Sequence, residues 1–469
     1  MKHIGKIIFI ASCLFFCILP VAGMAVCRGG AGTENRELAE FPQIKEDGKW
    51  NIGFLQGLGA YFKDHFAFRP YLVSADAIIQ SKVFGVSNVE RVVLGENGWL
   101  YYAATIDDYL GRNVMSERGV YNAAHNLSLL QQYVQGKGAE FAFTIAPNKN
   151  SLYGEHMPYY LQKKEESLSN RMLLEPELEK QGVSYVDLFA LFEGQEEVLY
   201  LKRDSHWNQK GALLAYHALL EKAGQGHDNY ETVKSLRLKE TYGDLNRMLY
   251  PKGGEPEWDY AYQKEHNFTY QADIISVEDA WIETENKSAD GTLLMYRDSF
   301  GNSLLPFFAD AFSNGYFSRA VPWDIENDME SCKPDVVVCE RVEREVSEFA
   351  KIPPLMEGPA VTLEREVWRM GQGMSADIEI TESENNMDYW KVSGVLEGQG
   401  CNKGTQIYIR VLQGEEAKVY EPFFLTTEAS DYGYCLYLKK EHLLGKATVE
   451  VIVGQDGVLQ AVQSLETQR

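Results

Sequence analysis

The stretch Val198–Tyr216, VLYLKRDSHWNQKGALLAY, decides how the rest of this sequence reads. It reads as a short apolar strand, then Asp204, Ser205, His206 and Trp207, then an amphipathic helix over Gln209–Ala223. Asp204 and His206 stand two residues apart, and in an extended segment that spacing turns both side chains to one face. A carboxylate beside an imidazole orients one ring nitrogen and leaves the other free as a base. No nucleophile lies in the stretch itself, so the flanking sequence must supply one.

Working back toward the N-terminus, Gly119–Gly136 reads as a helix and Glu140–Ala146 as a buried strand that runs into Pro147-Asn148-Lys149-Asn150. Open α/β sheets place their sites where a strand ends in a polar loop. Asn148, Lys149 and Asn150 are therefore oxyanion or supporting candidates, with an ordinary turn as the competing reading. A helix around Leu168–Gln181 and a strand over Ser184–Leu188 complete the approach to the opening stretch. Earlier still, Val92–Gly95 and Gly98–Tyr102 read as a hairpin turning at Asn97-Gly98. Phe54–Phe84 carries apolar residues at helical spacing.

Beyond the opening stretch, residues 224–290 are irregular and rich in Tyr, Trp, Gly and charge, and include Tyr242-Gly243-Asp244-Leu245. They form a substrate-binding excursion or a simple insertion. The buried strand Thr292–Tyr296 then leads into Arg297-Asp298-Ser299-Phe300-Gly301-Asn302 and a helix over Ser303–Phe312. Ser299 thus stands between a strand and a helix N-terminus, where free backbone N–H groups can stabilise an oxyanion. A serine there also serves as a cap. Taken with a base on another strand end, catalysis is the better reading: Ser299 as nucleophile, His206 as base, Asp204 as orienter. Asp298 is the rival orienter, but it neighbours the serine. Trp207 packs beneath the site, with sugar stacking as the alternative. A metal reading of Asp204 and His206 lacks further ligands at any recognisable spacing.

Several pieces, in order, resemble the DHHW family of exported SGNH-like proteins, relatives of the alginate O-acetyltransferases. They are ENRELAEFP (34–42), the region around Arg69, LGENGWLYY (94–102), IAPNKNSLY (145–153), RDSHWNQKGA (203–212) and YRDSFGNSLLPFF (296–308). The resemblance implies a three-layer α/β/α sandwich whose catalytic order, Asp–His–Ser, is permuted relative to ordinary SGNH hydrolases. It implies acyl transfer through Ser299, with His206 and Asp204 as its partners, and an acyl group delivered by a membrane-bound O-acyltransferase. Two departures stand out: Arg297 occupies a place where Gly is common, and the Asp-to-His spacing is one residue tighter than usual. The oxyanion donors expected are the Ser299 backbone N–H and a side chain from Asn148, Lys149 or Arg344. Arg344 follows the strand Asp335–Glu340 and also reads as a surface charge.

The flanks set location and boundaries. Lys2, His3 and Lys6 precede an apolar run, Ile7–Val26, which reads as a signal peptide or a signal anchor. Val26 before Cys27 makes a poor lipoprotein signal. Residues 1–27 form that segment, and 28–352 form the SGNH-like domain, entered through a Gly-rich tether over 28–50. A linker at 353–365 is marked by Pro353-Pro354 and Gly358-Pro359. Residues 366–469 alternate as short strands (Trp390–Leu396, Gln406–Leu412, Tyr434–Leu438, Thr448–Val453) and predict an all-β sandwich. Similar β-domains appended to glycan enzymes make sugar binding plausible there.

The formal net charge of −23 argues against nucleic acid, whose binding is dominated by Lys and Arg contacts to phosphate. The seven cysteines contain no CxxC pair, and Cys401 with Cys435 is the candidate disulfide outside the cytoplasm. No metal or organic cofactor is indicated. The sequence therefore reads as an exported, membrane-tethered O-acetyltransferase of a cell-surface polysaccharide. A carbohydrate acetylesterase with the same triad and a non-catalytic glycan-binding or assembly protein are the alternatives.

Overall fold

The structure, a computed structural model, describes residues 2–26, 39–46, 48–163, 167–228, 230–272, 276–369, 373–398 and 400–468. Cys27, most of the tether and residues 34–38 of the ENRELAEFP piece lie outside the described residues.

A seven-stranded sheet organises the α/β domain. In chain order its strands are β1 (Glu140–Ala146), β2 (Tyr185–Val186), β3 (Thr269–Tyr270), β4 (Trp281–Glu285), β5 (Thr292–Tyr296), β6 (Asn314–Ser318) and β7 (Val336–Val342). Across the sheet they run β2-β1-β7-β5-β6-β4-β3. The five strands from β2 to β6 are parallel, and β4 and β3 add an antiparallel edge. The central strands β1, β7 and β5 read as almost unbroken apolar runs because helices and loops cover both faces of the sheet. The register, Ala142 beside Val338 beside Met295, brings the carboxyl ends of β1, β5 and β7 to one side. The Asn148, Ser299 and Arg344 segments all emerge there.

The helix Glu117–Gly136 shows how local sequence and packing combine. Ser116 Oγ caps it by accepting from Gly119 N at 2.9 Å, worth about 1 kcal/mol. One face packs Leu127, Leu130 and Val134 into the α/β core. Its polar face is buried too. Asn126 Nδ2 donates to Phe349 O and Phe424 O, and its Oδ1 accepts from Phe424 N. Arg118 donates to Lys403 O and Thr405 O. Those partners include the C-terminal domain, so the polar stripe is a domain interface.

That domain is a sandwich of a six-stranded and a five-stranded sheet. The strand Gly433–Lys439 faces two cores: Tyr434, Leu436 and Leu438 fill the sandwich, while Cys435 and Tyr437 join the α/β core. The alternation separates Cys435 from Cys401, which packs on the sandwich side, and both are free thiols. The expected disulfide is therefore not formed. The Pro353-Pro354 connection, read as a linker, is buried together with Leu355 and Met356.

Two local expectations also change. Val198–Leu201 is not a strand of the sheet, and its only ladder contact among the described residues is a bridge between Tyr200 and Trp207. Asp204 and His206 accordingly lie in a turn. Residues 224–290 contain a hairpin, Ser235–Thr241 with Glu257–Tyr262, and the helix Asp244–Leu249 inside its connection.

Candidate active site

Ser299, His206 and Asp204 meet at the carboxyl end of the sheet. His206 Nε2 lies 2.9 Å from Ser299 Oγ, and Nδ1 lies 2.7 Å from Asp204 Oδ1. A carboxylate only accepts, so Nδ1 carries the proton and Nε2 is left to accept from Ser299. The tight Asp-x-His spacing works through a local turn: Asp204 Oδ1 also accepts from the His206 backbone N–H at 2.9 Å. This closes the carboxylate onto its own backbone two residues on. No extended segment is needed to bring the pair together.

Burial alone would raise the Asp204 pKa, but the adjacent imidazole and three hydrogen bonds hold it well below the usual carboxylate range. Burial would lower His206; the Asp204 charge overcomes this and raises it. The ring keeps 24% of its side-chain surface exposed, so the Nε2 proton relay is within reach of solvent and substrate.

Residues 92–288 match the family model of the SGNH hydrolase-like domain of the acetyltransferase AlgX. The domain is SGNH-like. Solved structures similar to it include a DHHW family protein from Eubacterium siraeum, with 17% identity, 55% of this chain and 97% of that chain covered, and a TM-score of 0.41. PatB1 of Bacillus cereus gives 18%, 54%, 96% and 0.43. AlgX of Pseudomonas aeruginosa gives 15%, 80%, 90% and 0.34. No curated protein matches the chain.

Within this SGNH-like domain the remaining candidates take distinct places. Asp298 is not the orienter. Its carboxylate accepts from Phe300 N and Val342 N, both at 2.8 Å, and so ties the Ser299 turn to the end of β7. Beneath it Glu340 is fully buried, and burial with the Asp298 charge pushes its pKa well up. Arg297 points away from the site, donating to Asn302 and to Val277 O. Gly301 is required there, since a Cβ would come within 2.5 Å of Arg297 Cβ.

Lys149 is 3% exposed, and its ammonium donates to the carbonyls of Leu201, Lys202 and Asp204. Burial presses its pKa down to about 8, with Asp204, Asp244 and Glu257 opposing. It clamps the loop that carries the triad and is not aimed at an oxyanion. Asn148 donates its side-chain amide to Asp108 at 3.2 Å, and Arg344 lies 3.5 Å from Asn148 Oδ1 and over the Tyr102 ring. Both belong to a polar cluster behind the loop. Asn150 differs from them: it is 1% exposed, and neither side-chain amide atom has a hydrogen-bond partner. Trp207 is 2% exposed, donates to Ser303 Oγ at 2.7 Å and packs edge-on against Phe300. Its faces are covered, so the packing role stands and sugar stacking does not.

Asp244 is the group that sequence reading left unassigned. Its backbone N–H donates to Asp204 Oδ2 at 2.8 Å, and its carboxylate accepts from Ser205 N and Ser205 Oγ. A Cβ at Gly243 would lie 2.2 Å from Arg203 O, so glycine alone admits this close approach. Glu257 completes the frame by accepting from Lys202 N and Arg203 N. Asp244 also brings a third ligand atom beside Asp204 and His206, all within 4.8 Å, which supplies the metal-type partner that sequence spacing did not show. Both His206 nitrogens are nonetheless engaged, one with Asp204 and one with Ser299, which is the arrangement of a proton relay.

Proposed function

We propose that this chain is a serine-dependent O-acetyltransferase that modifies an exported or cell-surface polysaccharide through an acyl-Ser299 intermediate. The observation that carries the reading is the continuous relay Ser299–His206–Asp204, at 2.9 and 2.7 Å. The match of residues 92–288 to an acetyltransferase family supports it.

In the first half-reaction His206 Nε2 takes the Ser299 proton as Oγ attacks the acyl carbonyl. The imidazolium forms beside Asp204 and returns the proton to the leaving group. In the second, a glycan hydroxyl gives its proton to Nε2 and attacks the acyl-serine, and Ser299 leaves with that proton. The oxyanion donors in this reading are the Ser299 backbone N–H and Asn150, whose unpaired amide meets the condition for a donor waiting for charge to develop.

The donor half-reaction draws its acyl group from a membrane-bound O-acyltransferase, and the chain acts outside the cytoplasm. The helix Lys2–Val26 carries Lys2 and Lys6 in its first turns ahead of an apolar run, which supports export. Among the described residues no helix is long and apolar enough to cross a membrane. The following segment, residues 52–84, leaves Ile52, Leu55, Tyr71, Leu72, Val83 and Phe84 more than half exposed, an apolar surface suited to a membrane or a membrane partner.

Incubation with a chromogenic acetyl ester tests the core of this reading. Mass spectrometry is expected to find acetyl on Ser299 in the native chain and none in Ser299→Ala. Equal behaviour of the two removes the catalytic reading. Acetyl released only to water, with none reaching the glycan, makes the chain an esterase.

A further inference from the structure

A cleft of about 750 Å³ opens beside the loop that carries Asp204, within the size range of ligand sites. One wall is the helical segment around Ile78–Gly85, and another is the hairpin turn around Glu96 and Gly98. Tyr159 and Tyr160 form the rim, and Arg203, Asn246, Tyr250 and Glu255 close the end. Ser299, His206 and Asp204 are not among its walls. We infer that this cleft binds the acceptor glycan and that its occupant is an uncharged polysaccharide chain. The inference rests on the acyltransferase reading for the word acceptor, though the binding itself does not.

Asn246 lines the cleft, is 1% exposed, and has no hydrogen-bond partner for either Nδ2 or Oδ1. A buried amide left unpaired is costly. One donor and one acceptor side by side match the hydroxyl pairs of a sugar ring. The neighbouring loop lies close over this amide. Gly254 sits at φ +80°, and a Cβ there would lie 2.4 Å from Asn246 Nδ2, so any larger residue would fill the space beside the amide.

Tyr159 and Tyr160 are 84% and 64% exposed and set edge to face, with ring centroids 5.5 Å apart. Aromatic rings held on a cleft rim offer flat apolar surface with a polar tip, which suits the faces of sugar rings.

Charge selects the class of glycan. Lys82 and Arg203 stand against Glu96 and Glu255 among the cleft residues, and Arg203 is already paired with Glu255 at 3.3 Å. The cleft residues carry two positive and two negative side chains and so no net positive charge, and the chain carries −23 overall, which disfavours a polyanion. The cleft borders the loop that carries Asp204. Arg203 precedes Asp204, and its carbonyl accepts from Asn246 N at 3.0 Å. The Arg203 backbone therefore belongs both to the end of the cleft and to the loop that carries Asp204.

The test is calorimetric titration of the full chain in detergent, without acyl donor, with hexamers of glucose, of N-acetylglucosamine and of a uronic acid. At least one neutral hexamer is expected to bind, and the uronate to bind at least tenfold more weakly. Tyr159→Ala/Tyr160→Ala is expected to weaken binding of the neutral hexamer by about tenfold, and Asn246→Leu to do the same. Melting by circular dichroism shows which variants remain folded. The surface tyrosine pair keeps the test decisive should Asn246→Leu misfold. No neutral binding, a uronate bound as tightly, or an unchanged affinity in the folded tyrosine variant each overturns the inference. Acylation of Ser299 is read separately. Hexamer binding without Ser299 acylation leaves the cleft and removes the acyltransferase, and the reverse result does the opposite.

Discussion

Replacing Lys149 with methionine tests whether a buried cation holds the catalytic loop. Three carbonyls, of Leu201, Lys202 and Asp204, accept from this one ammonium, and burial lowers its pKa from 10.5 to about 8. A group whose folded pKa is lowered binds its proton more tightly in the unfolded chain. The fold therefore gains stability as pH rises from 8 to 10.5, and the fall corresponds to about 3 kcal/mol. The methionine side chain does not titrate. The stability of the native chain minus that of Lys149→Met is thus expected to grow by about 3 kcal/mol across that interval, measured by denaturant unfolding at stepped pH. Other titrating groups cancel in the difference. In the same variant three carbonyls lose their donor, the Asp204 loop relaxes, and Ser299 acylation is expected to slow by about 10²-fold, the usual cost of a misplacement near 1 Å. A stability difference that is flat with pH would refute the buried, charged clamp. Unchanged acylation would refute its role in placing the loop.

Other expectations follow from the same geometry. Asp204→Asn removes the charge that raises His206 while burial, which lowers it, remains. The acid limb of the acylation rate should move to lower pH and the rate should fall by roughly 10³–10⁴-fold; a limb that stays in place assigns the raised pKa to another group. Asn150→Ala should cut acylation by about 10²-fold with stability intact if its amide meets the oxyanion; an unaltered rate makes it structural. Trp207→Phe should cost about 1 kcal/mol through the lost bond to Ser303 and leave glycan affinity as it was, whereas a large loss of affinity would restore sugar stacking. Ile52→Ser/Leu55→Ser should reduce flotation of the chain with liposomes; equal flotation would take the exposed apolar surface away from the membrane.

The position of Ser299 was legible because it follows a strong local signal. β5 ends its apolar run at Tyr296, two polar residues before Ser299, and β1 ends at Ala146, with Pro147 between it and Asn148. Parallel strands buried on both faces leave little doubt about where they end. The Asp204–His206 pairing was right for a different reason than expected. It comes from a turn closed by backbone donation to the carboxylate, which residue spacing alone does not distinguish from an extended pair. Asp244 was invisible because it arrives from the connection of a hairpin forty residues away, and only the Gly243 approach marks it. The roles of Asn148, Lys149 and Asn150 could not be divided from sequence, since neighbours in one turn point to different partners. The candidate Cys401–Cys435 disulfide is not formed: Cys435 turns into the α/β core, while Cys401 packs on the sandwich core.

Strand alternation bears on how such a chain can change over generations. Along Gly433–Lys439 one residue answers to the sandwich and the next to the catalytic core, so neighbouring substitutions are judged by two different environments. The β domain is in effect the outer wall of the α/β domain. A chain ending at residue 352 would strip Asn126 of its bonds to Phe424 and Arg118 of its bonds to Lys403 and Thr405, and would wet the core beside them. The two parts are expected to unfold in one transition and to be inherited together, and exchanging the β domain for that of a distant relative would require the buried face of Glu117–Gly136 to be rewritten at the same time.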